Sequence, residues 1–191
     1  MCIDMFNPEA AVRRVLELGA KNAAVVPMEN VRFEKEFRNL CASNACGMYG
    51  KSWMCPPDIG EPDELIARAK RYRYMLVYQT IGELEDSYDF EGMMEAGQKM
   101  NDLTRQVRKE MTDLFGPDAL QLGAGGCRMC PVCAKRENQP CRHPEQALSS
   151  LEAYCIAVSE LAEAAGMRYI NGPDTVTYFG AVLFQPQQKE E

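Results

Sequence analysis

The residues best equipped for chemistry are cysteines, and they fall in two runs. The denser run is Cys127-Arg128-Met129-Cys130-Pro131-Val132-Cys133, followed by Cys141. Thiolates are soft, charged ligands suited to iron and zinc. Three of them at i, i+3 and i+6 can wrap around a compact centre, and C-x2-C-x2-C is the core of the run that bacterial ferredoxins use for [4Fe–4S] clusters. The preceding Gly123-Ala124-Gly125-Gly126 allows tight turns and can aim amide N–H groups at cluster sulfurs. After its third ligand the run departs from the ferredoxin pattern, which has a fourth cysteine three residues on, followed by proline. Here seven residues separate Cys133 from Cys141, and the proline, Pro140, comes before it. Structural zinc more often joins two separated Cys-Cys pairs. The spacing therefore favours iron–sulfur, with zinc the alternative and unmetallated thiols the third reading.

The second run is Cys41-x4-Cys46-x8-Cys55-Pro56-Pro57. On its own it reads as a loop with buried thiols. Beside the first run it supplies three further candidate ligands. Seven thiolates do not divide into two groups of four, so three partitions stand. Cys127, Cys130, Cys133 and Cys141 can hold one cluster while Cys41, Cys46 and Cys55 hold a second with one iron open, and this is the preferred division. Cys55 can instead serve as the remote Cys-Pro ligand of the three-cysteine run, or one cluster can form and leave spare thiols. An open iron acts as a Lewis acid toward water, substrate or a sulfur species.

The remaining polar residues near these runs have plainer readings. Cys155 falls on an apolar face and reads as a buried thiol, and Cys2 has no assigned role. His143, the only histidine, reads as a local hydrogen-bonding or capping residue. Arg128, Arg142 and Lys51 can offset thiolate charge or bind an anion, with solvated surface an equal reading. Trp53 and Tyr49 are expected to shield the first loop from water.

The elements that must position these loops follow from periodicity. Asn7-Pro8 starts a helix with apolar Ala11, Val12, Val15, Leu16 and Leu18, stopped by Gly19. Ala23–Val26 reads as a short buried strand. Phe33, Phe37 and Leu40 recur at helical spacing and deliver Cys41 at the helix end. Cys41–Gly60 is an ordered loop, and Pro62 restarts a helix through Tyr72. Tyr74–Ile81 is a near-continuous apolar run expected to be a central strand. An acidic linker, 83–91, leads to a long helix through Met93, Met100, Val107 and Leu114 that stops at Gly116-Pro117. Ala119–Leu122 reads as a third strand. Pro144 opens a helical region with Leu148, Leu151, Cys155, Val158, Ala162 and Ala165 on one face. Met167–Ile170 and Thr175–Phe184 read as a β-hairpin across Asn171-Gly172-Pro173-Asp174. The expectation is an α+β (mixed α/β) fold: one mixed sheet flanked by helices, two cysteine loops at about 41–57 and 123–144, and a C-terminal β-hairpin. It is expected as one domain over 1–191, with a frayed tail at 185–191.

Composition bounds the setting. The chain has 191 residues, 46% of them apolar. A chain of this size buries roughly 70% of its unfolded surface without covalent staples. Nine cysteines against one histidine are therefore not needed for folding, and an odd count fits poorly with a closed disulfide framework. No run of ~18 apolar residues suggests a membrane helix. The N-terminus lacks the basic start and apolar core of a signal peptide, so a cytoplasmic setting with reduced thiols is expected. The formal charge of −7 argues against a nucleic-acid partner.

Cys41-x4-Cys46-Gly47-Met48-Tyr49-Gly50 leading to Cys55-Pro56-Pro57 resembles the first motif of a prokaryotic family of cysteine-rich, predicted metal-binding proteins. Gly126-Cys127-x2-Cys130-x2-Cys133, then Pro140-Cys141-Arg142-x-Pro144-Glu145, resembles its second, and Ser150-Leu151-Glu152-Ala153-Tyr154 is similar to a segment downstream. The resemblance covers about residues 10–184. It implies seven metal-linked cysteines and a prokaryotic, mostly anaerobic, cytoplasmic setting. The family is a domain of unknown function, so the resemblance implies no reaction.

Four functions remain. The first is an iron–sulfur protein, with one or two clusters of [4Fe–4S] type, that exchanges electrons with a redox partner protein. The second is an iron–sulfur enzyme whose open iron serves sulfur removal or transfer, dehydration or reductive chemistry on a small molecule. The third is a zinc-stabilised binding module, and the fourth is thiol-based metal handling or sensing. A Ser–His–Asp set has no histidine to spare. Gly123–Gly126 lacks the following Lys-Ser or Lys-Thr of a phosphate loop.

Overall fold

The computed structural model describes residues 7–186. Cys2 and the tail from residue 187 lie outside the described residues. Five helices and four strands occur there: α1 Pro8–Glu17, β1 Asn22–Pro27, α2 Phe37–Ala42, α3 Pro62–Ala69, β2 Tyr74–Glu83, α4 Phe90–Phe115, β3 Leu120–Leu122, α5 Val158–Ala164 and β4 Thr175–Phe184. The strands form one sheet in the order β1-β2-β4-β3, and every neighbouring pair is antiparallel. The arrangement is α+β, as expected, but the sheet is antiparallel rather than mixed.

β2 is central because both of its edges are paired, to β1 and to β4. Side chains alternate across a strand, and both faces of this one are covered, which explains its unbroken apolar run. Met75 and Val77 face one core with Phe179, Ala181 and Leu183, roofed by α3, α5 and the segment around Tyr154. Leu76 and Tyr78 face the other core with Val182 and Phe184, covered by α1 and α4. Between α4 and the sheet lies a buried polar network. Gln121 Nε2 donates to the Thr104 carbonyl at 2.9 Å and to Tyr78 Oη at 3.3 Å, and Tyr78 Oη donates to Thr104 Oγ1 at 3.4 Å.

Local chemistry sets the helix ends. Asn7 Oδ1 accepts from the Ala10 N–H at 3.1 Å and Pro8 opens α1, while Gly19 supplies the left-handed φ of +118° that turns the chain out. Asp89 Oδ1 accepts from the Gly92 N–H at 2.8 Å to cap α4, which ends at Gly116 with φ +91°. Among the described residues no helix is long and apolar enough to cross a membrane.

Three expectations are corrected. Phe33 does not join α2; it forms an isolated bridge to Ile156, which holds the approach to the first cysteine loop against the core of Met75 and Val77. The segment from Pro144 is not one helix: turns and a single 3₁₀ turn at Glu152–Tyr154 precede the short α5. The interruption sits at Cys155, whose φ of +60° is left-handed and incompatible with continuing a right-handed helix. Met167–Ile170 forms no strand. In place of a local hairpin, β4 inserts between β2 and β3, where its ten residues find partners on both edges.

Candidate metal centre

The second cysteine loop is closed at its base. Where β3 ends, the Gly123 N–H donates to the Ser149 carbonyl at 2.9 Å, and the Gly123 carbonyl accepts from the Leu151 N–H at 3.3 Å. Everything from Ala124 to Leu148 therefore leaves and re-enters the fold at one point. The first loop is folded on itself by the Gly50 N–H to Pro56 carbonyl bond at 2.9 Å, with Gly47 and Gly50 at φ +73° and +67°. These left-handed positions suit glycine.

The two loops are then tied to each other. Trp53 Nε1 donates to the Gln139 carbonyl at 2.9 Å, and Ser149 Oγ donates to the Met54 carbonyl at 2.8 Å. Lys135 pairs with Asp58 across the loops and stands 4.2 Å from the centroid of the Trp53 ring. Both side chains of that pair are largely buried, at 18% and 16% exposure.

This pairing divides the cysteines. Cys127, Cys130, Cys133 and Cys141 line one small cavity of about 20 Å³, together with Ser52, Trp53 and Met54 from the first loop. Cys41, Cys46 and Cys55 line a second, larger cavity of about 540 Å³, together with Gly125, Gly126 and Arg128 from the second loop. Each loop thus furnishes wall for the other's thiols. The two groups adjoin, since a Cβ on Gly126 would lie 3.5 Å from Cys55 Sγ. All eight described cysteines are free thiols.

The sulfur environments differ. Burial pushes the Cys133 thiol up, but the N–H groups of Lys135 and Trp53, the Ser52 hydroxyl and the Arg142 charge outweigh it, and the thiol lies below its ordinary value. Such an environment stabilises a thiolate, the ligating form. Arg142 is held beside it, donating to the Val132 carbonyl at 2.9 Å. Burial pushes the Cys41 thiol up, opposed by Arg38, and pushes the Cys55 thiol up, opposed by a hydrogen bond with Ser52. Cys46 is exposed.

Other candidates take the following places. Cys155 is fully buried, as expected, but it sits in a left-handed turn before α5 rather than on a helix face; burial pushes its thiol up, opposed by Arg38. His143 is exposed, and its carbonyl accepts from the Gln146 and Ala147 N–H groups in a turn. Tyr49 lines the three-cysteine cavity. Trp53 lines the four-cysteine cavity. Lys51 is exposed. Sequence reasoning missed Ser52, which has no exposed surface and reaches thiols of both groups. Its only signal was its place between Cys46 and Cys55. Lys135 and Asp58 were also missed, because nothing local in the sequence pairs residues so far apart.

Residues 24–184 match the model of a family described as "Predicted metal-binding protein (DUF2284)". The chain belongs to this family. The match runs from within β1 to the end of β4 and includes all seven cysteines of the two loops. The family's description states metal binding and names no metal. No curated protein and no solved structure matches the chain.

The residues present fit a thiolate-bound metal. Four thiols share one cavity, and one of them is already supplied with N–H and O–H donors and a cation. Among the described residues no three Cys, His, Asp or Glu side chains are grouped so as to hold one ion. A metal–sulfur bond of about 2.3 Å is much shorter than a water–sulfur contact, so a metal needs less room than a water-sized cavity measures.

Proposed function

We propose that the protein binds iron–sulfur clusters, of [4Fe–4S] type, and works in redox chemistry. Cys127, Cys130, Cys133 and Cys141 would hold a closed centre. Cys41, Cys46 and Cys55 would hold a second with one iron lacking a thiolate. The observation that carries this reading is the division of seven thiols into adjoining cavities of four and three. Four thiolates saturate a cubane, and three leave one coordination position. When bound, such centres supply one-electron transfer and, at an open iron, Lewis acidity.

This chain's own residues do the rest. The Trp53 and Lys135 N–H groups and the Ser52 hydroxyl stabilise negative charge on Cys133, and donors of that kind raise the reduction potential of a bound cluster. Trp53 lines the four-cysteine cavity, and its ring would limit the access of water to a centre bound there. The closed centre would exchange electrons with a partner protein, and the acidic charge of −7 favours one with a basic face. The setting in this reading is cytoplasmic, where thiols stay reduced.

Anaerobic purification followed by iron, zinc and acid-labile sulfide analysis tests the reading. Iron and sulfide in equal amounts, at the level of two clusters, are expected. Cys130→Ser and Cys46→Ser should each remove one centre while the circular dichroism of the sheet is retained. Stoichiometric zinc without sulfide would overturn it in favour of a zinc-stabilised module. The tightness of the four-cysteine cavity, about 20 Å³, is the observation on the side of a single ion.

A further inference from the structure

We infer that the cavity beside Cys41, Cys46 and Cys55 binds a small, uncharged organic molecule with an apolar body and a sulfur donor, a thiol or thiocarbonyl. The sulfur would take the coordination position that the three thiolates leave open. The inference rests on the two-centre reading above and adds the chemical class of the ligand.

Size comes first. At about 540 Å³, the cavity lies within the roughly 300–1,000 Å³ of small-molecule sites. It is far larger than three thiols and a metal centre need. The four-cysteine cavity has no comparable space.

The walls set the body of the ligand. Leu40 from α2, Met48 and Tyr49 from the first loop, Ile156 before α5 and Tyr169 after it surround the space with apolar and aromatic surface. Leu40 and Tyr169 are 66% and 50% exposed. Large apolar side chains left open beside a cavity gain stability when a ligand covers them. The Tyr169 ring is preset by stacking on Phe179, centroids 5.8 Å apart at 17°. A wall held in place before binding reduces the ordering cost of association.

The charges set the ligand's net charge. Arg128 and Glu152 both line the cavity, and both are exposed. Opposite charges at a solvated position give no preference for either sign, so neither a carboxylate nor an amine has a dedicated partner. The three thiols set the reacting end. A metal centre held by soft thiolates takes a soft sulfur donor in preference to a hydroxyl or carboxylate of the same shape.

The test is anaerobic titration of cluster-loaded protein with benzyl mercaptan, using benzyl alcohol as the oxygen isostere. Binding is read by calorimetry and by the EPR spectrum. The mercaptan should bind at least about tenfold more tightly than the alcohol and change the spectrum of one centre only. Leu40→Asp and Tyr169→Ala alter half-exposed or exposed side chains. Each should weaken mercaptan binding about tenfold while iron and sulfide stay at the parent level. Equal affinity for mercaptan and alcohol overturns the sulfur donor. Affinity unchanged in both variants overturns the site, as does a shift in oligomeric state in place of a shift in affinity, which would assign the surface to a second copy of the chain. The two-centre reading is scored separately by iron and sulfide content. If sulfide is absent that reading fails, and metal-free protein should then bind both probes alike, with Leu40→Asp still weakening them. Failure of that last effect overturns the apolar cavity as well.

Discussion

Ser52, a residue with no exposed surface, lies beside the Cys133 thiol, and its hydroxyl favours the thiolate there. It also reaches the sulfur of Cys55, which belongs to the other thiol group. One hydroxyl has a single proton to give. Whatever charge develops on one group therefore bears on the donor available to the other.

In protein loaded with the proposed cluster, Ser52→Ala should lower the reduction potential of the centre at Cys133 and leave its iron content unchanged. Loss of one donor worth about 1 kcal/mol corresponds to a shift on the order of 40 mV for a one-electron couple. A redox titration followed by EPR measures it. A potential that stays in place would remove Ser52 from the tuning of the site.

Lys135→Met should destabilise the fold by about 2–3 kcal/mol. It strands the Asp58 carboxylate at 16% exposure, and the partial exposure keeps the cost below the ~3–5 kcal/mol of a fully buried broken pair. Adding Asp58→Asn should restore much of the loss. Urea unfolding of the single and double variants gives the coupling, and additive losses would show that the pair does not join the loops energetically.

Gly180→Ala should cost about 1–3 kcal/mol. The new Cβ would stand 2.5 Å from Tyr78 Cζ, 2.6 Å from its Oη and 2.8 Å from Met100 Cε. Tyr78 has no exposed surface and little room to shift. A midpoint lowered by several degrees in thermal unfolding is the expected result.

Gln79→Met should stabilise the protein by about 1 kcal/mol. Gln79 is fully buried on the face shared with Met75 and Val77, and neither its Nε2 nor its Oε1 has a hydrogen-bond partner among the described residues. An apolar side chain of similar shape removes that desolvation penalty. Unchanged or reduced stability in denaturant unfolding would point to an ordered water satisfying the amide.

Glu110 makes the packing of α1 on α4 acid-sensitive. The hydrogen bond from Arg14, opposed by burial and aided by the Arg14 charge, holds the Glu110 carboxyl below its ordinary value of 4.5. A carboxylate with a depressed native pKa contributes stability that is present above its unfolded value and is lost as pH falls through the native one. The parent should therefore be more stable than Glu110→Gln at pH 7, and the gap should narrow as pH falls below 4.5 and through the lowered native value. Parallel thermal melts across that range check the sign.

Much of the fold was legible because its signals are local. Asn7-Pro8 at the start of α1 and Gly116-Pro117 after α4 mark helix ends through the chemistry of neighbouring backbone groups. The apolar run of β2 announced a strand covered on both faces. The failures came where distant partners override local pattern. The run of small and apolar residues after Pro144 has helical spacing, but the left-handed Cys155 and the Phe33–Ile156 bridge break it. Asn171-Gly172 offered a hairpin turn, but β2 and β3 hold β4 on both edges and Met167–Ile170 forms no strand.

The sequence by itself determined the candidate donors: seven loop cysteines and a spacing that suits thiolate-bound metal, with one histidine in the chain. Ligand type and local spacing are properties of short segments. The tertiary structure decided how those donors are shared. Hydrogen bonds between Trp53 and Gln139 and between Ser149 and Met54 press the loops together, and so separate four thiols from three. They also leave the large cavity beside the three. That division depends on contacts between residues about 90 positions apart, and only the packed chain brings such residues within hydrogen-bonding distance.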